Sequence, residues 1–427
     1  MRTTIHLVRR SAYAAALALL ATGVASVPAL AAGTTPTTLI PGNGVGGDEF
    51  GFSTATSTTG AVTAVGAPEH ASSGAVYVFT GTGNAITQSA VLTPSNPQAD
   101  EQFGQTVSIS GNGETLVASA PGAAGSSGSD QGAVYVFSDA SGTWTQIAEL
   151  AEAGTSELGF SLAISSDAST IVAGSPNSNS AAGEAFVFTQ SGSTYVETQK
   201  LTEPTTATTA ATARTAAKKP KPTPAPAPVF PAQLGASTAI SANGSTIAFG
   251  EPEVGVTDVF TKATGASTWT QTAQLHGGGS SVAVSASGSI IAAGQTGLND
   301  DNGELFVFTG SGSTFTTASE VLPPANTTRA AFAAGSTVGM SASGSVIAFG
   351  APTATAGSAF ESGEVFVATE TNGTWALTAT DSEANPVSDD NLGGGDQGVS
   401  VAGNGTAIVA GADAAGGTGQ ADVFPVS

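Results

Sequence analysis

The chain has 427 residues, 40% of them hydrophobic but only 6% aromatic and 10% charged, with 56 Gly and no Cys. Ten Lys plus Arg against 32 Asp plus Glu give a formal charge of −22, which excludes nucleic-acid binding through a basic surface. The lack of Cys excludes a disulfide framework, thiolate metal sites, Cys nucleophiles and thioether-linked lipid anchors.

Residues 1–31 read as a secretory signal peptide. Arg2, Arg9 and Arg10 form a basic start, Ala14 to Val27 is mostly small and apolar, and Ala29-Leu30-Ala31 offers a small-x-small cleavage site. The apolar stretch is short for a membrane anchor, which needs about 20 residues. Ser11, Ala12 and Tyr13 follow the Arg pair where twin-arginine export wants strongly apolar residues. Cleavage leaves seven bases against 32 acids, a charge of −25. No later apolar run is long enough to span a bilayer, so the sequence predicts a soluble, extracytoplasmic product: periplasmic, surface-bound or released.

One unit then recurs seven times over residues 32–427. Its first segment opens with Phe50-Gly51, Phe103-Gly104, Leu158-Gly159 and Leu234-Gly235. Later copies keep a Gly-rich approach around Gly279, Gly335 and Gly395. Its second segment ends in AVGAP at Pro68, VASAP at Pro121, VAGSP at Pro176 and AFGEP at Pro252, with weaker copies at Thr296, Pro352 and Asp413. The third reads GAVYVF at Gly74 and Gly132, GEAFVF at Gly183, VTDVF at Val256, GELFVF at Gly303, GEVFVA at Gly363 and QADVF at Gln420. The fourth begins with an aromatic at Trp144, Tyr195, Trp269, Phe315 and Trp375.

Gly51 to Gly66, Gly159 to Gly174, Gly235 to Gly250 and Gly335 to Gly350 are each fifteen apart, an offset that suits two short strands joined by a tight turn. Gly113, Gly244, Gly288, Gly344 and Gly405 supply those turns, flanked by Asn or Ser. Four short β-branched or aromatic runs per unit predict an all-β chain, a seven-bladed β-propeller of four-stranded blades. Small first strands suit the crowded axis, and a fourth strand polar on one side suits the rim. The last unit stops after its third strand. Thr38-Leu39-Ile40-Pro41 stands nine residues before Phe50, as Pro94 stands nine before Phe103. The N-terminal strand is therefore predicted to complete the last blade, which removes an open edge.

Between units three and four the spacing jumps, from 53 and 55 residues to 76 between Gly159 and Gly235. The insertion, residues 204–231, is rich in Thr, Ala, Pro and Lys. Alternate prolines favour an extended, solvated segment. Arg214, Lys218, Lys219 and Lys221 leave the rest of the ring with three bases against 32 acids, a charge of −29. The insertion reads as a flexible linker or as a weak contact to an anionic surface.

The pattern D-x-FG-x-S, GAP, GAVYVF and Trp resembles the FG-GAP repeat family, of which integrin α-like propellers and secreted bacterial proteins are members. The resemblance implies adhesion and ligand recognition. It also implies calcium cages between the first and second strands, spaced D-x-D-x-D-G. Here those loops read SGNGET, SSDAST, SANGST, SASGSI, SASGSV and AGNGTA, with Glu114 and Asp167 their only acids. A hard cation wants six to eight oxygens, several anionic, so no metal is expected there. Asn299-Asp300-Asp301-Asn302 and Asp389-Asp390-Asn391 are the nearest clusters and read as surface loops.

No catalytic motif stands out. His70 and His276 lie in or beside predicted loops without a partner His for a metal. The carboxylates Asp48-Glu49, Asp100-Glu101 and Glu157 recur with the repeat, as a turn role predicts. Trp144, Trp269 and Trp375 can stack on sugars, though blade packing suits outer-strand aromatics better. The sequence thus predicts a non-enzymatic recognition or adhesion protein binding an extracellular protein or glycan. The alternative is a carbohydrate-active enzyme with carboxylates at the channel mouth.

Overall fold

A computed structural model describes residues 31–32, 35–125, 130–139, 142–203, 233–296, 302–323 and 334–426. The insertion 204–231 and nearly all of the signal peptide predicted over residues 1–31 lie outside these residues. The described chain forms a seven-bladed β-propeller of antiparallel four-stranded blades, and in the first six blades the four strands pair in chain order. Blade 1 runs Ser53–Thr56, Val62–Ala67, Ala75–Thr80 and Thr87–Leu92 from axis to rim. The first strands of successive blades touch all the way round, from Ser53–Thr56 through Val107–Ile109 to Val399–Val401.

Side-chain size and burial account for this radial order. Second and third strands such as Thr170–Ser175 and Ala75–Thr80 are buried on both faces along nearly their whole length, so continuous apolar runs are stable there. Fourth strands such as Thr145–Leu150 alternate exposed and half-buried positions, as a rim strand with one wet face must.

The FG and GAP motifs are two halves of one backbone crossing. Within a blade, the Gly51, Gly159, Gly279 and Gly335 amides donate to the Gly66, Gly174, Gly294 and Gly350 carbonyls, which explains the fifteen-residue spacing. Between blades, a Cβ on Gly66 would overlap the Gly104 carbonyl, and one on Gly174 the Gly235 carbonyl. Gly350 and Gly411 face Gly393 and Gly51 in the same way. Only glycine permits so close an approach.

The ring closes as the sequence predicts. Thr37–Leu39 pairs antiparallel with the last strand, Gln420–Pro425, as the fourth strand of blade 7. Leu39 is buried against Phe50, Val65, Val409 and Val423, so one short strand joins the two ends of the chain in one core. Thr38 Oγ1 donates to Asp422 Oδ1 at 2.6 Å. Ala31–Ala32 adds a short parallel strand outside blade 6.

Blade 7 requires a correction. Its approach to the first strand is not centred on Gly395. Leu392 bridges Gly363 as Phe103 bridges Gly74, and the Gly393 amide donates to the Gly411 carbonyl. Leu392-Gly393 is thus a full LG copy, eighteen residues before Gly411. The three extra residues loop inward between Gly394 and Gly398.

Candidate ligand-binding face

The two ends of the ring differ. One carries the tight turns between first and second and between third and fourth strands. The other, the linker face, carries the loops between second and third strands and the linkers between blades.

Local backbone chemistry shapes the linker face. The residue before each F/L-G pair is left-handed in five blades, although none is glycine: Glu49, Gln102, Glu157, Gln233 and Asn391, with φ between 55° and 61°. The residue before that is a staple in three. Asp48 Oδ2 accepts the Val45 amide at 2.6 Å, Glu101 Oε1 the Gln98 amide at 3.0 Å, and Asp390 Oδ2 the Val387 amide at 2.7 Å. Asp48 also meets His70 Nδ1 at 2.8 Å, and Tyr135 donates its hydroxyl to Glu101 at 3.3 Å. The amide bonds close each linker on itself, while the His70 and Tyr135 contacts tie the Asp48 linker to a turn of blade 1 and the Glu101 linker to the third strand of blade 2, Ala133–Ser138. Of the recurring carboxylates, Asp48 and Glu101 therefore hold turns, while Glu49, Asp100 and Glu157 take left-handed backbone positions beside them. Asp48 is equivalent to Glu101 rather than to Asp100, a one-residue shift from the pairing that the letters suggest.

The remaining sequence candidates separate. His70 sits in a short turn of blade 1 and His276 at the exposed end of the fourth strand of blade 4, so they form no common site. Asp167 Oδ1 accepts from Ser165 Oγ at 2.7 Å and from the Ser169 amide at 2.9 Å, and Asn112 and Asn243 close their own turns likewise. Glu114 is exposed and accepts from Asn112. Asn299, Asp300 and Asp301 lie outside the described residues, whereas the Asn302 carbonyl accepts the Ala334 amide. Asp389 is exposed.

Trp269 and Trp375 are buried between blades. Each donates Nε1 to a turn carbonyl of its own blade, Gly244 at 3.0 Å and Gly344 at 2.8 Å. Tyr195 donates its hydroxyl to the Ala168 carbonyl at 2.6 Å, and Trp144 is half-buried against the core between blades 1 and 2. No open face remains on Trp269 or Trp375 for a sugar.

At the axis, first strands of all seven blades line a cavity of about 210 Å³. At the linker face it meets a second cavity of about 270 Å³, lined by Phe160, Asn177, Gln233, Pro252, Asp396 and Gln397 among others. The inward loop of blade 7 supplies Asp396 and Gln397 to both cavities. Gln397 crosses the mouth to donate to the Leu162 carbonyl of blade 3 at 3.1 Å. Gln105 of blade 2 donates to Asp396 Oδ2 at 2.7 Å. Burial pushes the Asp396 carboxyl up to about 6, against the pull of the Gln105 bond. The sequence signal for this loop is the eighteen-residue spacing, hidden by the many glycines of GGGDQG.

Large apolar side chains are also exposed on this face. Ile40, Val45, Val254, Leu322, Phe360 and Val387 all stand in its linkers and loops, while Val91, Ile147 and Val196 lie on rim strands. Among the described residues, none stands on the opposite end.

Residues 34–79 and 86–137 match the FG-GAP repeat family. The first match begins just before the closing strand and the second just before Thr87–Leu92, so the family unit starts at a fourth strand. No curated protein matches the sequence. Among solved structures, the Cps50 (Swd1) β-propeller domain of Myceliophteria thermophila is 11% identical with a TM-score of 0.58, over 92% of this chain and all of that one. A candidate 6-phosphogluconolactonase from Bacteroides uniformis is 12% identical with a TM-score of 0.51, over 84% and 87%. Both likenesses concern the fold alone. The chain is a seven-bladed β-propeller whose first two units match the FG-GAP repeat family.

Proposed function

We propose that this is a secreted, non-enzymatic recognition or adhesion protein that captures an extracellular protein or glycan on its linker face. The observation that carries the reading is the confinement of exposed apolar loop side chains to that face, beside a polar pocket at the axis. Apolar groups rimmed by polar ones favour a partner that covers both. Loops held on a rigid scaffold are common binding elements. Residues 1–31 support export by their composition, and the basic insertion supports a weak contact with an anionic surface.

One feature favours the alternative, a carbohydrate-active enzyme: Asp396 at the mouth keeps a raised carboxyl. Glycoside hydrolysis generally needs two carboxyls in unlike environments. Among the described residues that line the mouth pocket, Asp396 is the one carboxylate. The neighbour described as a candidate lactonase shares the ring and carries no residue correspondence at 12% identity. A glycan array run beside a hydrolysis screen, with a lactone in the panel, tests the choice. Retention without turnover is expected. Turnover that Asp396→Asn abolishes would establish the enzyme instead.

A further inference from the structure

We propose that Glu203, Glu251 and Asp258 form a divalent-cation site, suited to calcium, that clamps blade 3 to blade 4. Glu203 follows the rim strand of blade 3, Thr194–Leu201, while Glu251 ends the second strand of blade 4 and Asp258 lies in its third. One oxygen from each lies within 4.8 Å of the other two. Oxygens bound to one calcium at about 2.4 Å cannot stand farther apart than about 4.8 Å, so the three fit a single coordination sphere.

The cluster also lacks its counter-charge. Glu251 is 2% exposed and Asp258 0%. Glu203 Oε1, Glu251 Oε1 and Asp258 Oδ2 are buried without a hydrogen-bond partner. Gln274 Nε2 donates to Asp258 Oδ1 at 3.1 Å and the Gln271 side chain also bears on this carboxyl, so what reaches it is neutral amide rather than positive charge. Leaving such oxygens bare is costly unless something positive meets them. The two described lysines are engaged elsewhere: Lys200 pairs with Glu184 at 2.6 Å, and Lys262 lies 3.9 Å over the Trp269 ring.

The repeat supplies an internal comparison. Asp258 and Asp422 occupy the same place in VTDVF and QADVF, where blades 1 and 2 place Tyr77 and Tyr135. Asp422 has both oxygens satisfied, by Thr38 at 2.6 Å and Gln420 at 3.1 Å. At Asp258 the glutamines of the rim strand leave Oδ2 without a partner. Blade 4 adds Glu251 where blades 1 and 7 have Ala67 and Ala412. All-oxygen ligands point to a hard cation, and the absence of His or Cys from the trio disfavours zinc. Magnesium holds several waters, which suits this buried trio less than calcium. The site lies at the linker end, away from the turns where D-x-D-x-D-G loops would stand.

The test is calorimetric titration of the full secreted protein, stripped with EDTA, with calcium chloride and separately magnesium chloride at neutral pH. One calcium per chain is expected, with the melting temperature raised by about 2 °C or more at saturating calcium. Asp258→Asn and Glu251→Gln should each weaken binding about tenfold or more. Both remove a buried charge, so both are expected to fold, and their own melting curves check this. No calcium binding at millimolar concentration would overturn the proposal in favour of carboxyls that share protons. So would equal binding by the folded Asp258→Asn variant. Magnesium binding as tight as calcium would overturn the calcium assignment.

Discussion

Closure of the ring rests on three residues, and Leu39→Ala measures their weight. Leu39 is 3% exposed and packs against residues from blades 1 and 7. Truncating a buried Leu to Ala costs about 2–5 kcal/mol. For a chain of this length that corresponds to a fall in melting temperature of about 2–6 °C. Thr38→Val strips one donor from the fully buried Asp422 and should cost about 1–3 kcal/mol. Removing residues 33–41 adds both losses and exposes the edge of Gln420–Pro425. The total approaches the whole stability of a typical domain, about 5–15 kcal/mol, so the truncated chain should unfold or self-associate. Ile40→Ala, at an exposed position, should stay within about 0.5 kcal/mol of the parent. Circular dichroism melts and size-exclusion chromatography read these effects. A truncated chain that stays monomeric with an unchanged melting temperature would refute closure by this strand.

Other expectations follow from buried groups and close contacts. Burial pushes Glu364 up to about 7, and burial with the nearby Asp390 and Asp422 charges pushes Glu383 up to about 8. A carboxyl raised on folding binds its proton more tightly in the native state, so stability is lost as pH rises from the ordinary carboxylate range through these values. In EDTA, the melting temperature should be higher near about pH 5 than about pH 8, and Glu383→Gln should flatten the difference; a higher value at the alkaline end would contradict this. Gly174→Ala drives a methyl into the Gly235 carbonyl and should lower the melting temperature more than Gly46→Ala, whose Cβ has room; equal effects would remove the crossing argument. Trp375→Phe loses the bond to the Gly344 carbonyl and should cost about 1–3 kcal/mol without altering glycan retention. Loss of retention by the folded variant would make Trp375 a ligand residue.

Much of the ring was legible because repetition turns spacing into geometry. The fifteen-residue offset is a backbone crossing, and nine residues from Pro41 to Phe50 place the closing strand. Three features were hidden, each for a physical reason. Left-handed backbone at Glu49 and Gln102 leaves no mark in the letters, because tertiary contacts impose it on residues that do not favour it. The inward loop carrying Asp396 is masked because GGGDQG offers several glycines to a spacing argument and only hydrogen bonding selects Gly393. The carboxylate trio joins Glu203 to residues 48 and 55 positions later, across the insertion, so no local motif marks it. The Asp in VTDVF and QADVF was the available signal, being acidic where a buried aromatic recurs.

Recognition through the linker face is tested most directly by paired surface variants against whatever ligand the glycan and protein panels retain. Phe360→Ser with Val387→Ser alters the linker face, whereas Ile147→Ser with Val196→Ser alters the rim, and all four side chains are exposed. Both double variants should fold as the parent does. The account predicts that the linker-face pair weakens binding about tenfold or more while the rim pair leaves it unchanged. Equal affinity for all three proteins, or loss confined to the rim pair, would contradict it.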